Sequence, residues 1–297
     1  MDDAPTLLAG ATGDLGGRIA RELLGRGTRV RAIVRPSSAP GAVEALRRDG
    51  VEVAVADFDR VPELTAACAG GACVVSALSG LGDTVVGAQT RLLDAAVTAG
   101  VPRFIPSDFS IDYTATRPGT NRNLDYRRAF RERLDRAPVA ATSVFNGMFT
   151  DLLTGPAPVV LFPLKRVVYW GDADQPLDFT TIADTAAYTA AVARDSEAPR
   201  DLRIAGDVLS ARGLAEAASE ATGARFRLLR AGGIGRLDLL IRVTRSLAPG
   251  RDDVFPPWQG MQYLRDMFSG RSKLAPLDTG RYPDLEWTSV RDVLAAR

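Results

Sequence analysis

Through the first half of the chain, short continuous apolar runs alternate with stretches whose apolar residues recur at three- and four-residue spacing. The runs at 5–9, 51–56, 72–76, 103–106 and 140–145 read as strands, and so does Arg29-Val30-Arg31-Ala32-Ile33-Val34, which alternates. The intervening stretches at 15–24, 41–48, 84–99 and 123–136 read as helices, and Asp59 is placed to cap another that runs to residue 67. Strands that alternate with helices predict an α/β fold, a doubly wound parallel Rossmann sheet with crossover helices.

Near residue 150 the pattern changes. Gly155-Pro156-Ala157-Pro158 breaks the alternation, and shorter strands are expected at 167–170, 177–180, 202–204 and 225–229. Helices are expected at 184–194, from the cap Ser210 to 222, at 233–247, at 259–268 and after the cap Thr288. This gives a dinucleotide-binding domain over 1–150 and a smaller C-terminal α+β substrate lobe over 151–297, interleaved with the first. Phe145, Met148, Phe149, Trp170, Trp258, Met261, Tyr263, Met267 and Phe268 could converge as an apolar substrate surface, and core packing is the competing reading. The helix at 259–268 follows Pro256-Pro257, a position suited to a lid.

The first strand stops at Gly10-Ala11-Thr12-Gly13-Asp14-Leu15-Gly16. Gly10 suits a tight turn, Gly13 lets backbone approach a pyrophosphate, and Gly16 lets the helix pack against the strand. The helix start then offers free N–H groups and the positive dipole end to phosphates. Where NAD sites carry an acid after the second strand, this chain has Arg35, with Ser37 just beyond. A guanidinium matches a 2′-phosphate, so NADP(H) is the expected cofactor. Asp57 and Phe58 end strand three, and Ala77, Leu78 and Ser79 follow strand four. Both segments sit where adenine and ribose are expected.

Composition narrows the chemistry. The chain has 297 residues, a net charge of +1 and no histidine. Histidine triads, bases and metal sites are excluded, no metal is expected, and no basic field points to nucleic acid. Lysine occurs only at 165 and 273, so arginine carries nearly all the positive charge. Two cysteines, Cys68 and Cys73, make no disulfide framework. No apolar run reaches spanning length and the Met1-Asp2-Asp3 start lacks a basic leader, so no membrane partner and a cytoplasmic location are expected.

The glycine loop together with Arg103-Phe104-Ile105-Pro106-Ser107-Asp108-Phe109 resembles the NmrA-like, isoflavone-reductase-like group of atypical short-chain dehydrogenases/reductases. Residues 142–149 and 171–184 resemble the same group. The resemblance implies an NADP-binding Rossmann domain, with Thr12 and Leu15 at the pyrophosphate and Pro106, Ser107, Phe145 and Asn146 near the nicotinamide. It also implies a lysine at the start of the helix before strand six, where this chain has Arg127 in Asp125-Tyr126-Arg127-Arg128. The superfamily's Tyr-x-x-x-Lys fails as well, since Phe130 stands four residues after Tyr126. Tyr126, Arg127 and Asp108 are therefore the candidate catalytic residues. The expected activity is NADPH-dependent reduction of a small hydrophobic carbonyl, enone or imine. A non-catalytic NADP(H) sensor of the NmrA type and a non-redox cyclase or isomerase are the alternatives, and a homodimer or a protein partner stays open.

Overall fold

The computed structural model describes residues 4–155 and 157–297. In chain order the first strands and helices are β1 (Thr6–Ala9), α1 (Asp14–Gly25), β2 (Val30–Val34), α2 (Pro40–Arg48), β3 (Glu52–Val55), α3 (Val61–Cys68) and β4 (Cys73–Ser76). A π-helical turn (Asp83–Ala88) leads into α4 (Gln89–Thr98), then β5 (Arg103–Ile105), α5 (Arg122–Leu134), β6 (Ala140–Ala141) and β7 (Ser143–Phe145). After these come β8 (Met148–Phe149), β9 (Val160–Leu161), β10 (Arg166–Trp170), β11 (Leu177–Thr180), α6 (Ile182–Arg194), β12 (Asp201–Arg203) and β13 (Asp207–Leu209). The last elements are α7 (Ala211–Thr222), β14 (Arg227–Gly232), α8 (Ile234–Leu247), α9 (Pro257–Phe268) and α10 (Val290–Ala295).

The backbone forms two compact units. One comprises the chain up to Asp108, Tyr126–Val144 and Thr185–Leu202, and the other comprises Phe109–Asp125, Phe145–Asp184 and Arg203–Arg297. The first unit holds a six-stranded sheet in the order β3-β2-β1-β4-β5-β6, with every pair parallel. This is the Rossmann order, reversing direction between β1 and β4. All four residues of β1 are buried, as a central strand covered on both faces requires. Leu7, Ile33, Val74, Leu92, Leu93, Phe104 and Phe130 fill its core.

The second unit carries two small sheets, β14-β10-β9 and β13-β11-β8. Its core joins Phe145, Trp170, Phe179, Leu214, Leu237, Met267 and Phe268. Ser210 caps α7 by accepting from the Gly213 N–H, and Gly223 (φ +68°) ends the helix.

Several expectations fail locally. Asp59 does not cap α3. That helix starts after Arg60, and the Asp59 N–H donates to Asp57 Oδ1 while its carboxylate pairs with Arg91 at 2.8 Å. Thr288 does not cap α10 either. Ser289 does so through a capping box with Asp292, and Thr288 N–H and Oγ1 donate to Asp184. The single run at 140–145 breaks at Thr142, whose N–H still donates to Phe104 O. Of the break at 155–158, Pro156 lies outside the described residues.

The nine apolar side chains considered for substrate go largely into packing. Phe145, Trp170, Met267 and Phe268 are core, while Met148, Met261 and Tyr263 pack against it. Trp258 is buried, with its indole N–H donating to Pro249 O. A methionine and aromatic stripe at helical spacing is first of all a way to fill a core. Helix α9 is also not a free lid. Gln259 Nε2 donates to Asn121 Oδ1 (2.7 Å), Asn121 Nδ2 to Asp266 Oδ2 (3.0 Å), and Arg265 to Asp266 (2.8 Å) and Thr120 O (2.9 Å). Burial pushes the Asp266 carboxyl above its ordinary range, and Arg265 and Asn121 offset this in part.

Candidate active site

The loop from β1 to α1 has no room for side chains at two of its glycines. Gly10 sits at φ +84°, and a Cβ there would lie 2.6 Å from Ala77 O. A Cβ at Gly16 would lie 2.1 Å from Gly10 O, so the first turn of α1 rests directly on the loop backbone. Gly13 differs. Its Cβ would meet only Gly10 O, at 3.4 Å. Its backbone is extended at the N-cap of α1, and no side chain caps the helix. Thr12 and Gly13 are exposed and Leu15 is half-buried, so the helix start opens to solvent with its N–H groups forward. Such a helix start, closed below by backbone contact and open above, can accept an anion.

The other first-unit candidates line strand ends. Arg35 and Ser37 are exposed beyond β2. After β3, the Asp57 N–H donates to Glu63 Oε2, while the Phe58 ring is buried in the core and its carbonyl accepts from Arg91 Nε at 2.7 Å. Ala77 and Leu78 are half-buried after β4, and Ser79 is exposed.

The segment after β5 is held tightly. Pro106, Ser107 and Asp108 are buried. Ser107 Oγ donates to Leu78 O at 2.6 Å, Ser107 N–H donates to Gln89 Oε1 at 3.0 Å, and Arg127 Nε donates to Ser107 O at 3.1 Å. Asp108 Oδ2 accepts from Ser143 Oγ at 2.6 Å, and that hydroxyl accepts from Arg200 Nη1 at 2.6 Å. Arg200 also pairs with Asp135 at 2.8 Å. Tyr126 is half-buried with its ring edge over Gly82, where a Cβ would lie 3.1 Å from the ring. The structure thus ties Arg127 to Ser107, holds the next residue, Asp108, in a separate network with Ser143 and Arg200, and sets Tyr126 on the same helix as Arg127, against the turn after β4.

In the second unit, Phe145 packs edge-on against Tyr113 with centroids 5.3 Å apart. Asn146 is fully buried, its backbone N–H donates to Ser110 O at 3.0 Å, and its side-chain Oδ1 and Nδ2 have no partner among the described residues. Gly147 (φ +68°) follows, where a Cβ would lie 2.4 Å from Asp178 O.

Sequence reasoning missed Gln89, Ser143 and Arg200, which fix the segment after β5. A glutamine on the buried face of α4 was a readable sign for the first. Nothing in the sequence joined the other two to Asp108. Among the described residues no His/Cys/Asp/Glu group could hold a metal ion, and no helix is long and apolar enough to cross a membrane.

Fold and loop together define a Rossmann-type protein. The NmrA-like family profile matches residues 4–233, and the chain belongs to that family. Oxidoreductase swnN of Arthroderma benhamiae is 30% identical over 230 residues, covering 72% of this chain and 68% of that protein. Pinoresinol reductase 1 of Arabidopsis thaliana is 28% identical over 211 residues, covering 66% of this chain and 65% of its own length. Among solved structures, AtPrR2 with NADP+ and (+)-pinoresinol superposes with a TM-score of 0.83 at 20% identity, over 100% of this chain and 99% of that one. An isoflavone reductase gives 0.83 at 19% identity, over 99% of each chain.

Proposed function

We propose that this protein is an NADPH-dependent reductase of a small hydrophobic carbonyl, enone or imine. The observation that carries the reading is the glycine cradle, whose two clash-limited positions leave an uncapped helix start facing solvent. Relatives that are oxidoreductases, and neighbours solved with NADP+ or NADPH, support the same cofactor. Gly10, Thr12, Gly13, Leu15 and Gly16 would hold the pyrophosphate. Arg35 and Ser37 would take the 2′-phosphate, and Asp57, Phe58, Ala77, Leu78 and Ser79 the adenosine side. Pro106, Ser107, Phe145 and Asn146 would serve the nicotinamide end. When bound, the dinucleotide supplies the hydride.

This chain's own residues orient the substrate and manage a proton. Arg127, tied through Nε to Ser107 O, keeps a guanidinium that can draw negative charge on a substrate oxygen. It cannot deliver a proton, because guanidinium stays protonated. Tyr126 carries the one hydroxyl of α5 and takes the role of proton donor at its phenolic oxygen. We assign Asp108 a holding role. It grips Ser143 and so fixes the segment that carries Ser107.

Purified protein should consume NADPH in the presence of some hydrophobic carbonyl in a screen that follows nicotinamide absorbance. The Tyr126→Phe variant should lose about 10²–10⁴-fold in turnover with unchanged NADPH affinity. Unchanged turnover removes Tyr126 from the mechanism. Arg35→Ala should weaken NADPH binding roughly 10–100-fold, from the loss of one charge-assisted contact, and leave NADH nearly unchanged. Calorimetry with both cofactors decides this, and equal losses defeat the assignment.

The arginine at the position of the family's lysine favours a second reading, a redox sensor of the NmrA type. Such a protein would bind NADPH and NADP+ with different affinities and show no turnover with any substrate.

A further inference from the structure

Helix α8 is apolar on two sides. Leu237 and Ile241 are buried in the second unit's core. On the other side, Leu239, Leu240, Val243 and Leu247 are 38–81% exposed. At ~100° per residue these four fall within one arc of the helix, and Arg236 lies among them. Four large apolar side chains gathered on one exposed arc mark a surface for an interaction partner.

The stretch of chain that contains α8 is unusually basic. Residues 225–247 hold six arginines (225, 227, 230, 236, 242, 245) and one acid, Asp238. The net is six minus one, +5, against +1 for the whole chain, so all remaining residues sum to −4. All six arginines are exposed. Among the described residues, none of the six side chains has a carboxylate partner, whereas arginines 18, 31, 91, 131, 133, 200, 203 and 212 do. Arg245 lies over the Trp258 ring instead. Asp238 pairs with Arg265 at 3.4 Å.

We infer that the outer face of α8 docks on an anionic lipid surface. Exposed leucines interleaved with unpaired arginines suit the boundary between acyl chains and phosphate headgroups, with the helix lying in the plane. A second copy fits less well. Two-fold pairing through this face would set Arg236 against the same cationic face, with α8's one carboxylate already engaged.

The full-length protein is sedimented with vesicles of phosphatidylcholine alone and of phosphatidylcholine with phosphatidylglycerol. Binding is expected only to the anionic vesicles and should fall as salt rises. Arg236→Gln and Arg242→Gln should each lower partitioning roughly fivefold. A Leu239→Ser, Val243→Ser, Leu247→Ser triple variant, checked by circular dichroism for intact fold, should lose binding at high and low salt alike. No partitioning into anionic vesicles, or equal binding to neutral ones, overturns the inference. So does a dimer in light scattering that dissociates in the triple variant without vesicle binding. Binding of polyglutamate without vesicle binding overturns it as well and assigns the face to an acidic protein.

Discussion

Gly13→Ala should lower NADPH affinity by at least tenfold and leave thermal stability within about 0.5 kcal/mol of the parent. Gly16→Ala should lose both. The difference follows from what each new methyl meets. At Gly13 the Cβ has ordinary contact with Gly10 O at 3.4 Å, so the fold tolerates it, yet it projects where the helix start is open. At Gly16 the Cβ would lie 2.1 Å from Gly10 O, backbone against backbone, and neither side can swing away. Overpacking of this kind costs ~1–3 kcal/mol, and the α1 start must shift to relieve it. Displacing the N–H groups by about 1 Å is enough to cost on the order of 10²-fold in a positioned site. Calorimetric titration with NADPH, paired with thermal denaturation, separates the two cases. Equal affinity for Gly13→Ala and parent protein would sink the proposed cradle.

The second large effect is on stability. Arg265→Leu should destabilise the protein by about 3–5 kcal/mol, because it strands Asp266 in the interior. Arg265 meets Asp266 at 2.8 Å, with side chains 10% and 3% exposed. The sign of the pH dependence follows from the raised carboxyl. Burial already lifts Asp266 above its unfolded value, so the native state holds its proton more tightly than the unfolded chain. Its contribution is then most favourable below the unfolded value and is lost as pH rises through the folded one. Removing the guanidinium lifts the carboxyl further and widens that window. The Arg265→Leu deficit should therefore be larger at pH 7 than at pH 5, and Asp266→Asn in the same chain should recover part of it. Urea melts at the two pH values check this. A deficit independent of pH would mean that lost packing, not stranded charge, sets the cost.

Most of the first unit was legible in the sequence because its strands are central. Thr6–Ala9 and Cys73–Ser76 are buried along their whole length and read as short, mostly apolar runs, while Val30–Val34 is buried at every position but Arg31. The glycine loop was legible for a related reason, since backbone contact at Gly10 and Gly16 admits no other residue. The second unit was harder. Strands β8 and β9 are two residues each, too short to show any period. The caps at Asp59 and Thr288 misled because a capping residue is recognised locally, and both side chains are claimed by partners outside their helices, Arg91 and Asp184. The same limit hid Arg200. Its hydrogen bond to Ser143 spans 57 residues of sequence, and no local pattern encodes it.

The two units share one chain by taking turns along it, and this bears on synthesis at the ribosome. When Ile105 emerges, five strands of the first sheet are present, but β5 has only β4 beside it, because β6 lies at Ala140–Ala141. At ~5–20 residues per second the outer edge of β5 stays open for about 2–7 s. An unsatisfied strand edge invites pairing with another nascent chain. Translation paused between residues 106 and 139 would prolong that exposure, and should raise the insoluble fraction more than a pause placed after residue 202.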